Sequence, residues 1–280
     1  MIFTWPHFSP VLFSIGPLAV HYYALAYITG LLGGWWLAQR LVKLSPFAAT
    51  QQQVDDFLTW AVLGVLLGGR LGYVLFYQLY QEPLSYLLAH PIQIIAVWQG
   101  GMSSHGGFIG VAIAIIWFCR KHGLNMFAFA DRIATVVPIG LFLGRCANFI
   151  NGELWGRVAT HWFPLLIIYP ESASVDPTNA LRPRYPSELI EALLEGVVLF
   201  LIMILAVRSD KWRQRPGMLT GLFLICYAIA RIISECFREP DYFLGFLPFG
   251  TTMGQILSLP VLFAGLVMLV WAARQTPRAA

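Results

Sequence analysis

Residues 129–150 read FADRIATVVPIGLFLGRCANFI, and the chain continues NGELWGR to residue 157. About 20 apolar residues cross the hydrocarbon of a bilayer as a helix. This stretch has that length, yet it carries Arg145 and Asn148 near one end. Seven stretches of this kind can be marked out, at about 18–39, 57–79, 93–118, 129–150, 188–207, 217–237 and 252–273. Helices are expected for all of them, because lipid offers the backbone no other hydrogen-bond partner. The third contains WQGGMSSHGGFIG (98–110), whose glycines and serines suggest a broken or re-entrant start to its helix.

Composition agrees. Of 280 residues, 58% are hydrophobic and 11% charged, against about 25% charged in ordinary soluble chains. Mean hydropathy is +0.68. A soluble enzyme, a disordered chain and a disulfide scaffold are excluded. The reading is an all-α polytopic membrane protein of about seven transmembrane helices, forming a single transmembrane domain over 1–280. The net charge of +4 comes without a basic run, so no nucleic-acid partner is expected. Cys119, Cys146, Cys226 and Cys236 lie in or beside apolar stretches and form no CxxC pair; they read as small hydrophobes. The histidines show no metal-ligand spacing. The N-terminal apolar run lacks the basic flank of a signal peptide and is expected to stay in the mature chain.

Orientation follows from basic residues near the span ends. Of eighteen Lys and Arg, eleven fall on one side: Arg40, Lys43, Arg120, Lys121, Arg132, Arg208, Lys211, Arg213, Arg215, Arg274 and Arg278. That side is read as cytoplasmic, with the N-terminus outside. Arg157, Arg182, Arg184 and Arg238 fall on the other side. The segment 152–187, containing PESASVDPTNALRPRYP (170–186), reads as a small extracytoplasmic head inserted between spans 4 and 5. No internal repeat is evident, which counts against a transporter built from paired repeats.

A charge within a span is a functional hypothesis by default. In GRCANFINGELWGR (144–157), Arg145 and Asn148 are three apart and share a helical face. A guanidinium there can grip a phosphate with paired donors, or it can pair structurally with Glu153. In YAIARIISECFREPD (227–241), Tyr227, Arg231, Glu235 and Arg238 fall at about 0°, 40°, 80° and 20° around a helix. An internal Arg231–Glu235 pair explains two of them; a polar stripe facing a cavity explains all four. In Ser103–Gly107, a serine can cap the following helix, the first-turn amides favour an anion, and the glycines would let a head group approach the backbone. His105 is the ionisable group of this stretch, either a proton carrier or a satisfied core residue. Arg70, in GGRLGY (68–73), reads as a structural partner for a carboxylate or carbonyl. Tyr23 is a candidate cavity residue, and His21 and Tyr22 serve equally as interfacial aromatics. The sum is an outward-facing cavity with more cations than anions, suited to an anionic phospholipid head group. A flippase for such head groups would use the same cavity, and a non-catalytic membrane receptor would use the head as its binding surface.

HGGFIG (105–110), GRCANFINGELWG (144–156), YAIARIISECFREPD (227–241) and MGQILSLP (253–260) closely resemble the motifs of the prolipoprotein diacylglyceryl transferase family. The resemblance runs from HYYAL (21–25) to the last span. It implies a bacterial inner-membrane enzyme with its N-terminus outside. Such an enzyme moves the diacylglyceryl group of phosphatidylglycerol onto the thiol of a prolipoprotein's lipobox cysteine and releases glycerol phosphate. Carried over by motif, the site residues are Tyr23, His105, Arg145, Asn148, Glu153, Gly156, Tyr227, Arg231, Glu235 and Arg238. Alanine at 147, where glycine is common, is small enough to keep the chemistry.

On this reading sulfur displaces phosphate at a saturated carbon. Arg145 and Arg231, aided by Asn148, take the phosphate; His105 serves the thiol or the glycerol; Glu153 and Glu235 orient the arginines; and Tyr23, Gly156, Tyr227 and Arg238 complete substrate binding. The substrate supplies the nucleophile. No metal, nucleotide or other cofactor is implied. The partners are phosphatidylglycerol and lipobox peptides.

Overall fold

The computed structural model describes residues 1–16, 18–79, 82–97, 100–174, 176–179, 181–240 and 245–277. Trp98, Gln99, Val175, Ala180, Asp241 and Arg278, which entered the sequence reading, lie outside the described residues. The chain is mostly helical. Its helices of eighteen or more residues among those described are α1 (Tyr22–Leu41), α2 (Gln51–Tyr73), α3 (Ser104–His122), α4 (Met126–Asn151), α5 (Ser187–Arg208), α6 (Met218–Glu235) and α7 (Met253–Ala273). Helices α4 to α7 are long and apolar enough to cross a membrane. Strands are few: β1 (Ile2–Thr4), β2 (Val11–Ile15), β3 (Leu18–His21) and β4 (Leu166–Ile168). They form two ribbons, β1 parallel to β4 and β2 antiparallel to β3.

Two expected boundaries move. The first helix begins at Tyr22, not near residue 18, because β3 turns back to pair with β2 after Gly16, whose φ is 59°. His21 therefore ends a strand. The third long helix begins at Ser104, not near 93. Gly100 and Gly101 take φ of 80° and 72°, which breaks any helix there. Residues 92–95 form only a short helical turn. The expected serine cap is present: Ser103 Oγ accepts from the Gly106 amide at 3.3 Å. Helices α2 and α7 begin with capping boxes, Thr50 with Gln53 and Thr252 with Gln255.

The chain divides into two compact units, Met1–Ala38 with Asp131–Ala280, and Gln39–Ala130. In the second unit α2 packs on α3 through small residues. A Cβ on Gly64 would lie 2.9 Å from the Gly110 carbonyl oxygen, and one on Gly68 would collide with the Gly106 carbonyl. Such small-residue stripes let membrane helices approach closely where lipid supplies no hydrophobic drive. Gly106 is thus consumed by helix packing, which corrects the expectation that it admits a head group to the backbone. Phe57, Phe118 and Phe129 close the other end of this unit, with ring centroids 5.0 to 5.7 Å apart.

In the first unit Trp5, Ile167 and Tyr169 form a buried core between the N-terminus and residues 165–169. Trp5 Nε1 donates to the Phe149 carbonyl at 2.8 Å, tying this core to the end of α4. Burial, then the neighbouring charge of Glu188, push the Tyr169 phenol above its ordinary range. At the opposite end of α4, buried Asp131 accepts from the Gly217 and Thr220 amides, at 2.9 and 2.8 Å, and from Thr220 Oγ1 at 2.6 Å. A carboxylate at the start of α6 satisfies amides that the helix itself cannot.

Candidate active site

The ion cluster of the first unit is built from α4, α5, α6 and the turn after α6. Helix α4 presents Arg145 and α6 presents Arg231, and they converge on two carboxylates of α5. Glu191 Oε2 lies 2.8 Å from Arg145 Nε and 3.1 Å from Arg231 Nη1. Glu195 receives Arg145 Nη2 at 3.2 Å on one oxygen and Arg231 Nη1 at 3.3 Å on the other. Arg231 Nη2 also pairs with Glu235 one turn along. Arg238, just past the end of α6, reaches Glu191 Oε1 at 3.4 Å. Glu191 and Glu195 are essentially inaccessible to solvent.

Three guanidiniums and three carboxylates therefore balance. This corrects the expectation of a cavity with excess positive charge. The missed acids, Glu191 and Glu195, sit in the apolar run of span 5. With buried Glu188 they fall at about 0°, 300° and 340° around the helix. That narrow stripe could have been found by the arithmetic applied to span 6.

Arg145 does not pair with Glu153. Instead, Arg145 Nη1 donates to Asn148 Oδ1 at 3.4 Å. Asn148 Nδ2 then donates to Glu153 at 2.8 Å, and Asn151 Nδ2 to the same oxygen at 3.3 Å. Glu153 thus reaches the arginine through the Asn148 amide, and the alternative of a direct Arg145–Glu153 tie is not what the structure has. Glu235 does hold Arg231, and it also accepts from Thr252 Oγ1 at 2.6 Å. The N-cap of α7 thereby fixes the acid that fixes the arginine. Tyr227 is buried on α6 within electrostatic reach of Arg145, Glu191, Glu195 and Arg231. The Tyr23 ring lies against that of Tyr27, centroids 5.1 Å apart and planes tilted by 45°, and Tyr27 in turn lies within electrostatic reach of Arg145 and Glu153.

Gly156 is bridged to Arg238 by backbone pairing. A Cβ there would collide with the Tyr185 carbonyl and lie 2.7 Å from the Phe237 carbonyl. Two arginines counted in the sequence only as outer-side charges hold this strap. Arg157 donates to the carbonyls of Glu235 and Arg238, each at 2.8 Å, closing the end of α6. Arg184, fully buried, donates to the Gly156 carbonyl at 3.2 Å and pairs with Asp176 at 2.9 Å and Glu239 at 3.2 Å. The hydrogen bond from Thr178, with those from Asn179 and Arg184 and the Arg184 charge, holds the Asp176 carboxyl below its usual range against an opposing desolvation.

His105 lies half-buried in the first turn of α3, in the second unit. Arg70 is buried there too, held by carbonyls as one reading expected. The four cysteines are free thiols; Cys119 is buried but Cys236 is exposed, so the last is no core hydrophobe.

The described chain is thus a helical membrane protein with a closed cluster of ion pairs at one end of its long helices. The sequence profile of the prolipoprotein diacylglyceryl transferase family matches residues 10–271, and the chain belongs to that family. Over 277 residues it is 57% identical to a phosphatidylglycerol–prolipoprotein diacylglyceryl transferase of Acidiphilium cryptum, covering 99% of this chain and 96% of the relative. A protein of the same name from Gluconacetobacter diazotrophicus is 54% identical, with 99% and 95% covered. One from Gluconobacter oxydans is 53% identical, with 97% and 95% covered.

Proposed function

We propose that this chain transfers the diacylglyceryl group of phosphatidylglycerol to the thiol of a prolipoprotein's lipobox cysteine. The thiolate sulfur attacks the glycerol carbon, the carbon–oxygen bond to phosphate breaks, and the products are a thioether and glycerol phosphate. The setting is the bacterial inner membrane. The chain crosses it seven times, α1 to α3 adding three spans to the four apolar helices, with the N-terminus and the 152–187 head outside.

One observation carries the chemistry: Arg145 and Arg231, from different helices, share the same two carboxylates. A guanidinium has five N–H donors. Two on each of these arginines make aligned hydrogen bonds, to Asn148 and Glu195 for Arg145, and to Glu195 and Glu235 for Arg231. A phosphodiester takes the other N–H groups and shares those that face the carboxylates, and low-dielectric surroundings strengthen this hold as charge grows on the leaving oxygen. Glu191, Glu195 and Glu235 keep the guanidiniums in place before the lipid arrives.

In this reading Asn148 and Arg238 assist at the phosphate. Glu153 positions Asn148. Tyr23 and Tyr227 bound the lipid, and Gly156 keeps the strap closed. His105 serves the thiol or the glycerol. The positive groups favour the thiolate form of the incoming cysteine.

The test is the purified chain with phosphatidylglycerol and a lipobox peptide, the thioether product being read by mass spectrometry. A peptide heavier by one diacylglyceryl group is expected. Lipid movement or peptide binding without that product would overturn the reading.

A further inference from the structure

The second unit holds a polar cavity that the transfer chemistry does not use. Arg70 lies near the end of α2 and is 3% exposed. Its polar partners are neutral carbonyl oxygens: Gly100 at 2.6 Å and Gly101 at 3.4 Å from Nη1, and Gln93 at 2.5 Å from Nη2. The Tyr73 ring centroid lies 5.5 Å from its Cζ. Among the described residues no carboxylate comes within ion-pair distance. Its Nε is buried without an acceptor. A buried guanidinium is costly unless a negative charge meets it, and carbonyl dipoles supply only part of one.

Beside Arg70 is a cavity of about 240 Å³, lined by Arg70, Tyr73, Gln78, Glu82, Tyr86 and Gln93 together with the glycines at 100 and 101. That is room for about eight waters. Its amides are incompletely matched. Gln78 donates to Gln93 at 3.4 Å and Gln93 to the Tyr86 hydroxyl at 3.3 Å, while Gln78 Oε1 is buried without a donor. Glu82 is exposed and lines the same space. The lining thus combines a cation, an anion, and a set of amides and phenols.

A ligand that meets all three has a phosphate for Arg70 and hydroxyl or ammonium donors for Glu82. We infer that this cavity binds the head group of a phospholipid whose phosphodiester is followed by a donor-bearing end, as in phosphatidylglycerol or phosphatidylethanolamine. Phosphatidylcholine has the same phosphate but no N–H or O–H to give Glu82, and is refused. The inference does not rest on the transfer reading.

The test uses the full chain in phosphatidylcholine nanodiscs, carrying Arg145→Gln so that lipid at the α4–α6 cluster contributes little. Bound lipid is counted by native mass spectrometry as phosphatidylglycerol, phosphatidylethanolamine or free glycerol phosphate is added. One phosphatidylglycerol or phosphatidylethanolamine per chain is expected to bind in preference to phosphatidylcholine. Arg70→Gln should weaken this at least tenfold. The double variant Gln78→Leu/Tyr86→Phe keeps Arg70 on its carbonyls and should weaken it at least threefold. Glu82→Lys, a change at an exposed position, should weaken phosphatidylethanolamine more than tenfold. Equal retention of phosphatidylcholine, or unchanged binding in the double variant and in Glu82→Lys, would overturn the inference. Free glycerol phosphate binding as tightly as the lipids would assign the cavity to a soluble phosphate ester and overturn the lipid assignment.

Discussion

Arg145 Nε and Arg231 Nη1 lie 2.8 and 3.1 Å from one and the same oxygen, Oε2 of Glu191. That oxygen makes no aligned hydrogen bond with either, so its hold on them is electrostatic. The two cations would repel one another in a low-dielectric interior. Glu191, flanked by Glu195, is what lets them stand together. On the proposed reading, a phosphate entering between them would meet a cluster that is already neutral and would share donors with the acids.

Removing that shared charge separates binding from turnover. In Glu191→Gln three guanidiniums face two carboxylates, so an anionic lipid should bind as well as before or better. The arginines lose their common anchor, and kcat should fall by about 100-fold, or about 2.7 kcal/mol of transition-state stabilisation. Steady-state kinetics with a lipobox peptide would show this as a KM for phosphatidylglycerol that is unchanged or lower beside a much lower kcat. A rise in KM with kcat unchanged would contradict it.

Gly156 tests the strap. No side chain fits between the Tyr185 and Phe237 carbonyls, and the cost of forcing one in is about 1–3 kcal/mol. Gly156→Ala should displace the backbone paired with Arg238 and lower transfer by at least tenfold. Gly140→Ala, within α4, where a Cβ meets nothing within 4 Å and φ is not positive, makes a control without crowding. Equal activity in the two variants would refute the steric account.

Asp131 tests the other end of the same helix. Its three hydrogen bonds fix where α6 begins, and α6 carries Tyr227, Arg231 and Glu235. Asp131→Ala leaves the Gly217 and Thr220 amides without partners and should cost about 3 kcal/mol. Thermal unfolding in detergent would report it as a lowered midpoint. Thr220→Val, which keeps both amide bonds, should lose less than half as much.

The nucleophile belongs to the substrate in this account, so the enzyme's thiols are dispensable. A chain with Cys119, Cys146, Cys226 and Cys236 all replaced by Ala or Ser should transfer lipid within about threefold of wild type. Loss of activity in a folded, inserted protein would reopen a covalent route.

The sequence disclosed the long helices readily because each is an apolar run bounded by charge or glycine. Its stripe arithmetic on 227–238 also placed Tyr227, Arg231, Glu235 and Arg238 on one face, and the Arg231–Glu235 pair is there. What it hid was the partner set. Glu191 and Glu195 are embedded in an otherwise apolar run, where hydropathy registers a span and passes over two acids. Arg145 had a nearer carboxylate in sequence, Glu153, and only the packing of α4 against α5 reveals that it chooses others. Gly106 looked like part of an anion cradle because its role depends on Gly68 and Gly72, more than thirty residues away. Arg157 and Arg184 looked like topology markers because backbone carbonyls, which no sequence pattern labels, are among their principal acceptors.

The most direct test of the account is the rate of diacylglyceryl transfer from phosphatidylglycerol to a lipobox peptide by Arg145→Lys and Arg231→Lys, each compared with wild type. Lysine keeps the charge but loses the planar fork that can serve a carboxylate and a phosphate at once. Thioether formation should fall at least 100-fold in each variant while the protein remains folded. Transfer at the wild-type rate by either variant would mean that its guanidinium does not grip the phosphate.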